Sequence, residues 1–205
     1  MTRKLNIGGK VATPGWEVID ALPSPCVDHL GNAGDLSRFE DATFAELYAS
    51  HVLEHFDYNG GLQAALCEWC RVLVPKGTLY ISVPDLDILS ELFLSKDQLT
   101  AGERFFVMRM MFGGHVDQYD YHVAGLNQEF LSYFLEEAGF ANIRRVDSFG
   151  IFSDTSDMTF KGRPISLNMQ AEKPTDKPAR KSFTWLKRLW SGRSVHEDPL
   201  SPVEG

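Results

Sequence analysis

Leu5-Asn6-Ile7-Gly8-Gly9, followed by Trp16-Glu17-Val18-Ile19-Asp20, is the stretch that decides the fold. Two short apolar segments read as strands; the first runs into a glycine pair and the second ends in an acid. In open α/β sheets, ligands sit beyond the carboxyl ends of the strands. A glycine turn there lets backbone approach closely, and a carboxylate can accept from ribose hydroxyls. Gly8, Gly9 and Asp20 hold those positions. Asp35, in Asn32-Ala33-Gly34-Asp35-Leu36, follows a third apolar segment and is placed to accept from an adenine amino group. A glycine pair also serves as a plain turn, and solvated carboxylates give the same spacing. Only residues 8–16 separate the first two strands, fewer than the dozen or so of a parallel crossover. The first crossover helix is therefore expected to shrink to a turn.

Outward from this point, strand-like and helix-like periods alternate. Residues 27–30 and 44–50 read as strands. Leu62, Ala65, Leu66, Trp69, Cys70 and Leu73 recur at helical spacing, and Pro75-Lys76-Gly77 is expected to end that helix. Residues 78–83 form the clearest strand, stopped by Pro84. Helices are predicted from Asp87, from Thr100 with Glu103 as a capping box and Gly113-Gly114 as the stop, and from Asn127 to Gly139. Residues 143–147 and the alternating Ile165, Leu167, Met169 and Ala171 predict two last strands, taken as a hairpin-like pair. The predicted class is α/β: a Rossmann-like, doubly wound, mostly parallel sheet with an antiparallel C-terminal edge.

The chain of 205 residues, 43% hydrophobic and 23% charged, fits one globular domain plus a tail. Residues 1–170 carry 13 Lys/Arg against 23 Asp/Glu, whereas 171–205 carry 7 against 5. The sign change coincides with Lys173-Pro174-Thr175-Asp176-Lys177-Pro178, so the domain is expected to span 1–173, with 174–205 a disordered basic and aromatic tail. A net charge of -8 argues against nucleic-acid partners. Three cysteines fit a reducing compartment, and the absence of a long apolar run or a signal-peptide pattern makes a cytoplasmic location the expectation. Residues 181–190 mix aromatic and basic side chains, which suits weak contact with a membrane surface or a protein.

Five blocks carry a resemblance: Lys4 to Gly9, Pro14 to Asp20, Ser50-His51-Val52-Leu53-Glu54-His55, Glu68 to Gly77, and Ile81-Ser82-Val83-Pro84-Asp85. They resemble the class I S-adenosylmethionine-dependent methyltransferases, in particular a small predicted branch with a type-11-like domain. Phe112 to His115, Tyr119 to His122, Glu137 to Phe140 and Ile165 to Asn168 extend the likeness over residues 4–173. The resemblance implies that Gly8 and Gly9 face the methionine end of the cofactor, Asp20 the ribose, and Asp35 and Leu36 the adenine. Ser50 and His51 would line the floor near the departing methyl. Lys10 stands where the family has a second glycine; it either substitutes a cation for the lost approach or leaves a site without turnover. The implied reaction is methyl transfer to an oxygen or nitrogen of a small-molecule or glycan-like acceptor. His51 is the first candidate base, and His115 or His122 the second.

Other constellations compete. His51-Val52-Leu53-Glu54-His55 also reads as H-x-x-E-H, a zinc-hydrolase pattern that requires the motif inside a helix. His115, Asp117 and His122 form a weaker metal set, and no resident metal is expected. Cys67 and Cys70 are expected to be buried structural thiols. Residues 113–122 pack titratable groups between two helices and suit either a substrate lid or a solvated loop.

Overall fold

The computed structural model describes residues 2–175; the aromatic and basic segment 181–190 lies outside them. The strands β1 (Arg3–Ile7), β2 (Glu17–Asp20), β3 (His29–Leu30), β4 (Phe44–Ser50), β5 (Leu73–Pro84), β6 (Ala141–Arg145) and β9 (Ser166–Glu172) form one sheet in the order β3-β2-β1-β4-β5-β9-β6. The first five are parallel, and β9 lies antiparallel between β5 and β6. A second hairpin pairs β7 (Thr159–Phe160) with β8 (Arg163–Pro164).

Central parallel strands are buried on both faces and need apolar side chains in near-continuous runs. Leu5 and Ile7 of β1, Leu47 and Ala49 of β4, and Leu79, Ile81 and Val83 of β5 supply one face and are essentially inaccessible, while buried Asn6, Tyr48 and Ser82 alternate with them on the other. Helix α1 (Gly61–Val72) lays Leu62, Ala65, Leu66, Trp69 and Val72 onto one face, and the indole N–H of Trp69 donates to the Ala33 carbonyl at 2.8 Å. Helix α4 (Gln128–Glu137) adds Leu131, Tyr133, Phe134 and Leu135. Helices α2 (Leu86–Leu94) and α3 (Ala101–Phe112) pack on each other around Leu89, Leu92 and Val107.

The caps read from the sequence are in place. Thr100 and Glu103 close a capping box, Gly113 ends α3 with φ +89°, and the Asn127 side chain accepts from the Phe130 N–H. Helix α2 starts one residue before Asp87, because the Asp85 side chain takes the cap and accepts from the Asp87 and Ile88 N–H groups.

Four local expectations are corrected. Pro75-Lys76-Gly77 does not end α1; the helix stops at Val72, and the three residues bulge within β5, where Lys76 has φ +66° and the register against β4 shifts. The third strand shrinks to His29–Leu30 at the sheet edge. Strands β6 and β9 pair antiparallel but are no hairpin, since 146–165 intervenes and holds β7 and β8. Cys67 is exposed and Cys70 only partly covered, because i and i+3 straddle the edge of the α1 stripe.

Residues 8–16 join β1 to β2 without a helix, as their number requires. The sheet face that such a helix would cover bears Tyr48, on the opposite side of β4 from Leu47 and Ala49. Segment 146–157 covers it instead. Phe149 meets Tyr48 and Tyr80 edge-on at 5.5 and 5.6 Å, and Phe152 and Trp16 pack on Tyr48 at 4.5 and 6.2 Å. The Tyr48 hydroxyl donates to the Asp154 carboxylate (2.9 Å to Oδ2), and burial pushes its pKa well above the ordinary tyrosine value.

Across the first three strands, the Arg3 guanidinium donates two bonds to Glu17, and His29 Nε2 lies 2.8 Å from the same carboxylate. Arg3 holds Glu17 down at about 2, against desolvation that raises it. A depressed carboxylate stabilises the fold above its unfolded pKa and loses that contribution as pH falls through the folded value. Wild-type stability should thus drop between pH 4.5 and about 2, and Glu17→Gln should flatten this limb in urea titrations.

Candidate active site

Strand β1 lies between β2 and β4, so connections leave it in opposite directions and a crevice opens beyond its carboxyl end. Gly8 forms the floor. Its φ is +75°, its N–H donates to the Ile19 carbonyl at 2.8 Å, and a Cβ there would sit 2.5 Å from Val52 Cγ2. A Cβ on Gly9 would meet the Asn6 amide at 2.5 Å. A larger residue is thus opposed at Gly8 by backbone as well as by space, and at Gly9 only by the end of the Asn6 side chain, which would have to shift.

Asp20 at the tip of β2 is 7% exposed. Its Oδ1 accepts from the Leu22 N–H at 2.8 Å, and its Oδ2 pairs with Lys10 Nζ at 2.6 Å. The lysine side chain is 72% exposed, so this contact is held from the solvent side. Gly8, Lys10, Asp20, Asn32, Ala33 and Phe56 are among the residues lining a cavity of about 490 Å³, within the range of small-molecule sites.

Asp35 and Leu36 do not line it. Asp35 is solvent-exposed, and its carboxylate accepts from the Ser37 hydroxyl and then from the Ser37 N–H, which lower its pKa. Leu36 is fully buried in the core. Gly9 and Ser50 line an adjoining cavity of about 430 Å³ together with Gly8, Lys10, His51 and Asp154.

His51 leaves β4 in the left-handed region at φ +55°, tied by its N–H to the Ser82 carbonyl at 2.9 Å. Its Nε2 lies 2.9 Å from Ser166 Oγ, and that hydroxyl donates to the Thr155 carbonyl at 2.8 Å. A hydroxyl with its one proton so used accepts from the ring, which places the proton on His51 Nε2 and leaves Nδ1 basic. Nδ1 is 3.5 Å from Glu54 Oε1. Burial pushes His51 down to about 4 and Glu54 up to about 8, each towards its uncharged form.

Leu53–His55 forms a 3₁₀ turn, not the α-helix that a zinc-hydrolase reading of H-x-x-E-H needs; His51 turns to Ser166 and His55 Nδ1 to the Tyr121 carbonyl at 3.0 Å.

The loop after α3 roofs the larger cavity with Val116, Asp117, Tyr119 and Asp120. His115 lines none of these cavities: its ring stacks on Tyr121 at 4.1 Å and its Nε2 lies 2.8 Å from the Phe112 carbonyl. Among the described residues the ligand atoms of His115, Asp117 and His122 do not come together as a set. His122, pushed down by burial, lines a third cavity of about 250 Å³ with His51, Phe106, Arg109, Met110 and Pro84. Of the residues first singled out, Gly8, Lys10, Asp20 and His51 thus share one cavity. Asn32, Ala33, Phe56 and Ser166 were not singled out. Asn32 opens the loop that holds Asp35, and Phe56 directly follows the histidine motif, but neither carries a chemical signature.

The fit of Gly8 under Val52 makes a direct prediction. Gly8→Ala should cost about 1–3 kcal/mol through left-handed strain plus overlap. In urea unfolding, Gly8→Ala/Val52→Ala should lose less than the sum of the single changes, because the second removes the obstructing methyl.

The sequence profile of the methyltransferase-domain family matches residues 20–81, from the tip of β2 into β5. No curated protein matches the chain by sequence. Among solved structures, a possible exported protein from Bordetella parapertussis superposes with a TM-score of 0.53 at 14% identity, over 85% of this chain and 63% of that one. The CurJ carbon methyltransferase gives 0.51 at 16%, over 85% and 49%. A Thermotoga maritima protein described as a SAM-dependent methyltransferase, possible histamine N-methyltransferase, gives 0.51 at 17%, over 84% and 83%. The chain therefore spans under two thirds of the first two proteins. Among the described residues no helix is long and apolar enough to cross a membrane. The segment 20–81 is thus similar to the methyltransferase-domain family, and the fold is the one shared with these solved proteins.

Proposed function

We propose that the chain binds S-adenosylmethionine and transfers its methyl group to an oxygen or nitrogen of a small-molecule or glycan-like acceptor. The observation that supports this most is the cavity at the β1/β4 switch point, floored by Gly8 and walled by the buried carboxylate of Asp20. Asp20 accepts from the ribose hydroxyls, the Asn32-Ala33 loop and Phe56 flank the adenine, and the methionine end runs past Gly8 and Gly9 towards Ser50 and His51. Lys10 lines both adjoining cavities, which lets its ammonium pass from Asp20 to the cofactor's carboxylate.

The smaller cavity, which shares His51, takes the acceptor. Its size suits one ring rather than a polymer. The sulfonium already activates the methyl, so the protein's main contribution is alignment, worth up to about 7–11 kcal/mol. The acceptor lone pair forms the new bond to the methyl carbon, and the carbon–sulfur pair stays on sulfur as a neutral thioether. A hydroxyl acceptor must also lose a proton, for which the neutral His51 ring offers Nδ1, with His122 as the alternative base. Free thiols at Cys26, Cys67 and Cys70 agree with a cytoplasmic setting.

A second reading has a specific observation behind it: Lys10 already occupies Asp20 Oδ2 at 2.6 Å, as in a binding module that has lost turnover. Calorimetry separates the two. Wild type should bind S-adenosylhomocysteine, and Asp20→Ala should weaken binding by more than about 1 kcal/mol, roughly fivefold. Lys10→Ala should weaken it too if the ammonium holds the cofactor; tighter binding would make Lys10 a plug. Silence in both wild type and Lys10→Ala would end the cofactor reading.

A further inference from the structure

Glu54 is 1% exposed, and among the described residues neither carboxylate oxygen has a hydrogen-bond partner from another residue. Buried polar atoms are nearly always paired, and an orphan carboxylate points to a missing partner. Its surroundings are imidazoles. His51 Nδ1 lies 3.5 Å and His122 Nε2 3.8 Å from Glu54 Oε1, both beyond direct hydrogen-bond contact, and the His55 and His122 rings meet at 5.0 Å. One ligand atom from each of Glu54, His55 and His122 falls within 4.8 Å of the others.

Two further features prepare these groups. The Tyr121 carbonyl can only accept, so His55 Nδ1 carries the ring proton and Nε2 presents its lone pair; metal-bound histidines are commonly fixed in this way. His122, 67 residues along the chain from His55, is brought beside it because the Glu54 carbonyl accepts from both the Val123 and Ala124 N–H groups, at 2.9 and 3.2 Å.

We propose that Glu54, His55 and His122 form a three-ligand site for a divalent cation of the zinc class. Two imidazoles and a carboxylate suit such an ion at about 2.0–2.2 Å from each donor, with a fourth position left open. The donors, within 4.8 Å of one another, would draw in to the roughly 3.4 Å spacing of a tetrahedral shell when the ion binds. His55 lines the larger cavity and His122 the smaller, so the cation sits in the wall between them. There it would hold an acceptor oxygen beside the methyl group, a role that rests on the transfer reading above; the site itself does not.

The test uses the full chain without a histidine tag, stripped with chelator and titrated calorimetrically with zinc chloride. One equivalent should bind with submicromolar affinity. His55→Ala, His122→Ala and Glu54→Gln should each weaken binding at least about tenfold, while His29→Gln should not. Cobalt(II) should give the intense visible bands of a four-coordinate ion in wild type and lose them in the variants. Circular dichroism reports folding, and the partly exposed His55 keeps the test valid if the Glu54 variant unfolds. No zinc binding by wild type, or binding unchanged in both His55→Ala and His122→Ala, overturns the site. Zinc binding without S-adenosylhomocysteine binding would retain the site and remove only its role in transfer.

Discussion

The nine residues between β1 and β2 are the constraint from which much of the site follows. A parallel crossover that short has no room for a helix, and the face of the sheet bearing Tyr48 would otherwise meet water. Segment 146–157 covers it with Phe149 and Phe152, pinned by the Tyr48 hydroxyl on Asp154. That segment also delivers the Thr155 carbonyl, which takes the proton of Ser166 and so makes Ser166 accept from His51. A missing helix at one end of the sheet thereby decides which nitrogen of a histidine on the neighbouring strand remains basic.

Electrostatics at the strand tips follow from unequal burial. Asp20 is shielded while Lys10 is 72% exposed, so the pair costs little to separate on the lysine side and much to leave unmatched on the aspartate side. Any ligand that offers hydroxyl donors to Asp20 and an anion to Lys10 satisfies both halves at once. An adenosine carrying an amino-acid tail has both groups.

Elements that follow from local chemistry were legible in the sequence. Residues 78–83 alternate cleanly and lie within β5, and the Thr100 and Asn127 caps depend only on residues three positions away. The bulge at Pro75-Lys76-Gly77 was read as a helix stop because proline and glycine mark both, and only pairing against β4 separates them. In the site, Gly8 and Asp20 stand out because backbone approach and strand position define them. Asn32, Phe56 and Ser166 do not, since each enters through a tertiary contact. Asp35 and Leu36 show the same limit from the other side: the loop that carries them passes the cavity, but presents Asn32 and Ala33 to it.

Glu54 carries this argument furthest. As part of H-x-x-E-H its meaning depends on whether residues 51–55 are helical, and a helix would place both histidines on one side. The strand exit and 3₁₀ turn send His51 to Ser166 instead, and the vacant flank of Glu54 is filled by His122 from a distant loop. The same three residue types regroup around the carboxylate with a different histidine. A motif fixes which donors are near in sequence; the backbone conformation between them decides which donors meet.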